Sequence, residues 1–185
     1  VWDWAGVNIK NESQGNEKDS TSIQYHVIQK LKEQNFDIIF DDDNAGEIAD
    51  VIAIEVDDVN KKVKVELFHL KFSQEDRPGA RINDLYAVNG QAQKCVSWLH
   101  TRPEHIYGRM LRRGASGPKN RYELGTEEQL SIIREKVKSL YEIEYIVHIV
   151  QPGLSKAAAS REQLKLLSLT EAFLWETRMI KLGVI

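Results

Sequence analysis

The chain has 185 residues, of which 42% are hydrophobic and 29% are charged, and its net charge is −3. This length suits one domain with a substantial core, and no segment approaches the roughly 18 consecutive apolar residues of a membrane helix. Cys95 is the single cysteine, which excludes a disulfide within the chain, and no signal peptide is visible, so we expect a cytoplasmic protein.

The first sixty residues predict an N-terminal arm at 1–20, a helix and the beginning of a sheet. The helix is expected to begin near Thr21 or Ser22, because Thr21 and Gln24 fit a capping box, which makes Gln24 a capping residue. A short β-rich run follows at 36–40. The acidic turn after this run is expected to be exposed to solvent and consists of Asp41, Asp42 and Asp43.

A β-hairpin is predicted next, with strands at 47–56 and 62–72 on either side of a polar turn. The simplest pairing places Val56 opposite Lys61. Both strands are rich in β-branched and other apolar residues, which favours a hairpin with one face in the core.

This pairing brings polar side chains together on one face of the hairpin. Asp50 would lie opposite Leu67, one step from His69 and Lys71 on the partner strand. Because side chains alternate between the two faces of a strand, a carboxylate, an imidazole and an ammonium group would project together. Lysine is uncommon on a buried strand face unless something pairs with it. A salt bridge between Asp50 and Lys71 would be a purely structural alternative.

The remainder of the chain predicts helices that alternate with strands, in a core at 21–152 and a C-terminal part at 153–185. Trp98 and Trp175 are expected to pack in the core. The predicted elements are a loop at 73–82, a helix at 83–99, a loop with a short helical start at 102–121, a helix at 126–141, a strand at 143–150, a helix from 160 that could break at Ser168, and a strand at 180–185. This order predicts an α/β or α+β domain with a mixed central sheet between helices.

The basic side chains are concentrated in one part of the chain. Residues 1–60 contain 14 acidic and 4 basic side chains, whereas residues 61–185 contain 14 acidic and 21 basic ones. The segment 102–121 holds Glu104 as its only acid, and such a segment can contact nucleic-acid phosphates, although a solvated loop has the same composition. The side chains considered for this contact are Arg109, Arg112, Arg113, Lys119 and Arg121, together with Lys94 on the preceding helix.

The hairpin residues suit a metal-dependent phosphodiesterase. Phosphodiester cleavage needs neutralised charge on the phosphate and a hydroxide near neutral pH, and a bound Mg²⁺ supplies both. Asp50 would be the principal ligand and the carbonyl of Leu70 a further one. Lys71 would position the attacking water or stabilise the charge that develops on phosphorus.

The same residues resemble the PD-(D/E)XK nucleases, which have the restriction-endonuclease-like fold. The resemblance is carried by Asp50 at the opening of one strand, by Lys71 on the next, and by the glutamine in Gly90-Gln91-Ala92-Gln93-Lys94, which is similar to the glutamine motif of RecB-like nucleases. It implies an α-β-β-β-α-β core, catalysis with Mg²⁺ or Mn²⁺, DNA as the substrate, and a role for Gln91 beside the nucleophile or the phosphate.

One feature departs from this pattern. The second acid of the superfamily stands two residues before the lysine, where this chain has His69. Histidine is a softer ligand than Mg²⁺ prefers, so His69 would bind Mn²⁺ or orient the metal. Glu47 or Glu55 could instead supply the second carboxylate. A catalytically inactive domain of the same fold that binds nucleic acid, or a protein-interaction module, therefore stays open as an alternative.

More narrowly, four segments are similar to nuclease-like domains at the C-terminus of bacterial superfamily 2 helicase proteins associated with restriction or phage defence. This resemblance implies a helicase domain in the same polypeptide, which would also explain why the chain begins with Val1 rather than methionine. A homodimer is compatible with it. The four segments are Ile48-Ala49-Asp50, Phe68-His69-Leu70-Lys71-Phe72-Ser73, Gly90-Gln91-Ala92-Gln93-Lys94 and Gln151-Pro152-Gly153-Leu154-Ser155.

Overall fold

A computed structural model of the chain describes residues 2–99, 102, 104–116 and 120–185. It is an α/β fold with a mixed sheet flanked by helices, as the sequence predicts. The elements in chain order are α1 (Ile23–Lys32), β1 (Ile38–Asp41), β2 (Val51–Asp57), β3 (Lys62–Leu70), α2 (Asn83–Lys94), α3 (Val96–Leu99), α4 (Glu104–Gly114), β4 (Tyr122–Leu124), α5 (Glu127–Ser139), β5 (Glu142–Val150), α6 (Arg161–Arg178) and β6 (Lys181–Val184).

The described strands form one six-stranded sheet in the order β4-β1-β2-β3-β5-β6. The pairs β4–β1, β1–β2 and β2–β3 are antiparallel, and β3–β5 and β5–β6 are parallel. Such a mixed arrangement follows from a hairpin that continues into helical crossovers, because parallel neighbours need a long connection between them. The fold is consistent with the restriction-endonuclease-like architecture.

The two faces of the sheet bury separate hydrophobic clusters. The helix α1 covers one face, where Ile23, Val27 and Leu31 are buried against Val51 and Phe68 of the sheet. The helices α2 to α6 contribute to the cluster on the opposite face. No described helix is both long enough and apolar enough to cross a membrane.

The hairpin register differs from the predicted one by two residues. Val56 pairs with Val63 rather than Lys61, and Val51 pairs with Phe68. The cause lies in the turn, where the Asp57 carboxylate accepts the backbone N–H groups of Val59 and Asn60. Asp57 itself pairs with Lys62 and so belongs to the strand rather than to the turn. A shift of two residues keeps every side chain on its predicted face.

The prediction of a loop at 102–121 was wrong for most of that segment. Residues 104–114 form α4, which buries Ile106, Tyr107 and Met110 at helical spacing. The arginines and glycines of the segment obscure this apolar stripe in the composition. The short strand β4 was also missed, and α6 runs through Ser168 without a break.

The helix caps are those that the sequence indicates at two of three positions. Ser160 caps α6 in a reciprocal capping box with Gln163, and Thr126 caps α5 by accepting the N–H of Gln129. At α1 the cap is Ser22, which accepts the N–H of Tyr25, and not Thr21. The side chain of Gln24 is therefore released for a different role.

Candidate metal centre

Three carboxylates converge beside the opening of β2. Asp43 and Glu47 lie on the loop between β1 and β2, and Asp50 immediately precedes β2. One carboxylate oxygen from each of the three lies within 4.8 Å of the others, which is a spacing that one metal ion can bridge. Carboxylate oxygens are the ligands that hard divalent cations prefer.

Asp50 is held by the neighbouring strand. Its carboxylate is 4% exposed, and its Oδ2 accepts the backbone N–H of Leu70 at 2.8 Å. This bond leaves Oδ1 for another partner. The role of the Leu70 carbonyl as a further ligand stays a prediction.

The loop that carries Asp43 and Glu47 is fixed by buried charges. Asp42 accepts the N–H of Ile48 at 2.7 Å and forms an ion pair with Arg113. Arg113 also donates to the carbonyl of Asp42 at 2.6 Å, and Arg121 donates to the carbonyls of Asp41 and Asp43 at 2.9 and 3.1 Å. The loop is therefore rigid before any ligand arrives.

These contacts revise the predicted role of two arginines. Arg121 is buried, Arg113 is largely so, and both direct their guanidinium groups into the loop. We therefore assign them to the scaffold of the site rather than to a nucleic-acid surface. Arg109 and Arg112 lie on α4, with Arg112 exposed, and their contact with nucleic acid stays a prediction. Lys119 lies outside the described residues.

A buried polar network connects the N-terminal arm and α1 to the loop. Gln24 donates to the Asp41 carboxylate at 3.1 Å and to the Asp50 carbonyl at 3.3 Å, so it is a structural part of the site and not a capping residue. Gln14 donates to the same Asp41 carboxylate at 2.7 Å. The hydroxyl of Ser13 donates to Asp43. The N-terminal arm thus contributes directly to the position of an acidic ligand.

The expectation of a solvent-exposed acidic turn was wrong. Asp41 and Asp42 are fully buried, and Asp43 is half-buried. The reason is that each carboxylate has a hydrogen-bond or ion-pair partner from a distant part of the chain, as buried charges require. Composition alone does not reveal those partners.

The electrostatics of the cluster disfavour three bare carboxylates. Burial, followed by the charges of Glu47, Glu12 and Asp43, raises the pKa of Asp50 well above its usual value, against the opposing effect of the Leu70 N–H. Burial also raises the pKa of Glu47, and Asp43 and Asp42 add to that increase. A divalent cation would offset the cost of burying these negative charges and would reduce their mutual repulsion, because it supplies positive charge.

Lys71 contacts a carboxylate that the sequence did not indicate. Its Nζ lies 2.8 Å from Glu12 Oε2, and the same oxygen accepts the N–H of Phe72 at 2.9 Å. Glu12 is on the N-terminal arm, about sixty positions from Lys71, so no local pattern could associate them. The pairing of Lys71 is thus with Glu12 rather than with Asp50.

His69 lies outside the carboxylate cluster. The cluster of described residues contains Asp43, Glu47 and Asp50, and the imidazole of His69 is not a member. His69 is 2% exposed, and burial lowers its pKa to about 3, which keeps the ring neutral. Its predicted role as a ligand therefore has no support from the geometry, and Asp43 and Glu47 occupy the role of the additional acids.

Gln91 and Lys94 lie at the rim of the same site. They line a pocket of about 320 Å³ together with the loop 44–48 and the side chain of Trp98. Glu47 belongs both to this pocket and to the carboxylate cluster. The two helix residues that the sequence singled out thus line the same pocket as one candidate metal ligand, and their roles in the site stay predictions.

Comparison with known proteins adds no assignment. No family model, no curated protein and no solved structure matches the chain. The function is therefore argued from the geometry of the site.

Proposed function

We propose that the chain is a metal-dependent nuclease domain that hydrolyses phosphodiester bonds of DNA. The observation that carries the proposal is the convergence of Asp43, Glu47 and Asp50 within 4.8 Å, beside the end of β3, which Lys71 directly follows. An oxygen-rich, negatively charged and preformed site of this kind fits Mg²⁺ or Mn²⁺. A metal ion bound there would neutralise charge on a phosphate and supply a hydroxide near neutral pH.

The protein's own residues would divide the remaining work. Asp43, Glu47 and Asp50 would hold the cation, and the rigid loop would keep them in place without substrate. Lys71 would donate from its Nζ to the attacking water or to a phosphate oxygen as negative charge develops. Glu12 would hold the Lys71 ammonium group in position.

The wider context is also part of the proposal. The four segments that are similar to domains of bacterial superfamily 2 helicase proteins favour a module of a helicase-containing restriction or defence protein. In that setting a helicase in the same polypeptide would deliver the DNA strand to the carboxylate cluster.

The decisive experiment is cleavage of supercoiled plasmid and of single-stranded DNA in Mg²⁺ and in Mn²⁺. Asp50→Asn and Lys71→Met should each abolish cutting by the wild-type chain. Lys62→Met is the matched control, because Lys62 is an exposed lysine at the start of β3, the strand that Lys71 directly follows. Metal-dependent cutting that survives Asp50→Asn would contradict the proposal. DNA binding without cutting in either metal would favour the inactive, nucleic-acid-binding alternative.

A further inference from the structure

The pocket beside the carboxylate cluster has the groups that recognise a nucleobase. The indole of Trp98 lines the pocket, and the guanidinium of Arg109 lies over that ring, 4.6 Å from its centre. Oε1 of Gln91 is buried and accepts no hydrogen bond from any residue that the structure describes. Lys94, at the rim, is exposed.

These three groups match three parts of one nucleotide. An aromatic wall suits the face of a base, a buried amide oxygen suits an N–H on the edge of a base, and an ammonium group suits a phosphate. A base in a duplex is stacked and paired, so its face and its pairing edge are both inaccessible to such a pocket. An unpaired base has both available.

We infer that this pocket receives an unpaired nucleotide next to the phosphate held at the carboxylate cluster, so that the domain prefers single-stranded over double-stranded DNA. The inference rests on the proposed nuclease function. It goes further in assigning Trp98 and Gln91 to substrate choice and Lys94 to a flanking phosphate.

The test is fluorescence anisotropy with a labelled ten-nucleotide single strand and with the blunt duplex of the same sequence, in Ca²⁺. We expect the wild-type chain to bind the single strand at least tenfold more tightly than the duplex. Trp98→Leu and Gln91→Leu should each bind the single strand about tenfold more weakly than the wild type, in line with the value of one base stack. Gln34→Leu is the control, because Gln34 is exposed beyond the end of α1.

The outcomes separate this inference from the proposed function. Equal affinity for both DNAs, or unchanged binding in the Trp98 and Gln91 variants, overturns the pocket assignment even if Mn²⁺ still binds and plasmid is cut. Absence of metal binding and of cutting overturns the proposed function itself.

A second observation, independent of the catalytic site, concerns the outer face of α6. Five large apolar side chains on or just after this helix are between 42% and 74% exposed. They are Leu164, Leu169, Phe173, Trp175 and Met179. The prediction that Trp175 packs in the core was wrong, because its side chain is half exposed. Several large apolar side chains on one exposed helix are typical of an interaction surface.

The centre of this face has the spacing of a helix–helix seam. Lys165, Leu169, Ala172 and Glu176 follow one another at intervals of four, three and four residues, which keeps them in one line along the helix. All four are exposed. The seam therefore carries a cation at one end, an anion at the other, and a large and a small apolar residue between them.

Such a seam is complementary to itself when two copies run antiparallel. A twofold axis near residue 170 brings Lys165 of one copy to Glu176 of the other and Leu169 to Ala172, so that opposite charges and unequal volumes meet. Two-fold symmetry repeats each contact. On the flank, Ser168 meets Phe173, which again pairs a small with a large residue.

We propose that α6 is the interface of a homodimer in which two copies of the helix pack antiparallel. Sedimentation equilibrium of the chain at 10 to about 100 μM, a range in which moderate interfaces populate dimers, is the test. We expect a dimer for the wild type, at least tenfold weaker dimerisation in Lys165→Glu and in Glu176→Lys, and restored dimerisation in the double variant.

The double variant makes the test specific. Each single reversal places like charges opposite each other at both ends of the interface, whereas the double reversal restores opposite charges. A wild-type monomer at 100 μM, about the upper end of moderate affinity, overturns the proposal. A dimer whose affinity is unchanged in all three charge variants overturns the α6 pairing.

Discussion

The carboxylate of Asp50 accepts the backbone N–H of Leu70 at 2.8 Å and so extends the ladder between β2 and β3 by one side-chain bond. This single contact fixes a candidate metal ligand on the strand that leads to Lys71. The amide oxygen of an asparagine at position 50 could accept the same N–H. The metal-binding role of Asp50 can therefore be separated from its structural one.

We predict that Asp50→Asn raises the thermal stability of the metal-free protein and removes its stabilisation by Mn²⁺. The amide oxygen still accepts the Leu70 N–H, while the buried charge that burial and neighbouring acids disfavour is gone. Differential scanning fluorimetry with and without Mn²⁺ measures both effects, because a ligand bound by the folded state alone raises Tm. Asp76→Asn, at an exposed position, should leave both values unchanged. A full Mn²⁺ shift in Asp50→Asn would refute the metal assignment.

The affinity for Mn²⁺ should increase as pH rises from 5 to 7. The pKa values of Asp50 and Glu47 are both raised, so protons still compete with the metal at pH values above the usual pKa range of carboxyl groups. In the metal-free protein the sign for stability is opposite: the folded state holds extra protons, so its stability falls as pH rises from the usual carboxyl pKa through the raised one. Isothermal titration calorimetry at several pH values measures the first effect, and an affinity independent of pH would contradict it.

The sequence predicts those parts of the site that depend on strand alternation. Asp50 was singled out from its position on a hairpin and belongs to the carboxylate cluster, and the two-residue error in register did not matter, because it preserved the faces. The role of Lys71 stays a prediction. The capping box of Ser160 and Gln163 is likewise a local pattern, because its two residues lie three positions apart.

The missing parts of the site depend on contacts between distant segments. Glu12 reaches Lys71 from the N-terminal arm, and Asp43 is placed by Ser13 and by a loop that Arg113 holds. Nothing in the neighbouring sequence distinguishes these side chains from solvated ones. The sequence offered Glu47 or Glu55 as a second carboxylate, and Glu47 does belong to the cluster. For Glu12 and Asp43 it offered only the large number of acids before residue 60, which does not specify which of them converge.

Glu12→Gln should reduce the rate of DNA cleavage about tenfold, because a positioned general catalyst contributes roughly 10²–10⁴-fold and Lys71 itself remains. The affinity for Mn²⁺ should stay within about twofold of the wild-type value. The reason is that Glu12 contacts Lys71 and the N–H of Phe72 and is not one of the three clustered carboxylates. Single-turnover kinetics combined with calorimetry separate the two quantities. Glu17→Gln, on the same arm and exposed, is the control. Loss of metal affinity in Glu12→Gln would instead make Glu12 a ligand.

His69 should make the fold sensitive to acid. Its pKa falls from 6.5 to about 3 on folding, so the unfolded chain binds the proton first and stability is lost as pH falls below 6.5. At pH 5 this difference amounts to about 2 kcal/mol, at 1.36 kcal/mol per pKa unit. His69→Leu should flatten the loss between pH 7 and 5, as measured by urea unfolding at both values. His105→Gln, at an exposed position of α4, should not.

Arg113 should matter to the site although it touches no candidate ligand side chain. Its guanidinium forms an ion pair with the fully buried Asp42 and donates to the carbonyls of Asp42, Asp43 and Ala45. Removing one partner of such a pair leaves an uncompensated buried charge, so Arg113→Met should lower the free energy of unfolding by about 2–4 kcal/mol.

Arg112→Met is the matched control for this substitution. Arg112 is the neighbouring arginine on α4 and is exposed, so its loss should change stability by less than about 0.5 kcal/mol. Urea unfolding of both variants gives the stabilities, and a Mn²⁺ titration at a temperature where both are folded tests the site. We expect weaker Mn²⁺ binding in Arg113→Met alone, because the loop that positions Asp43 and Glu47 loses its anchor. Equal metal affinity in the two variants would mean that the loop keeps its shape without Arg113.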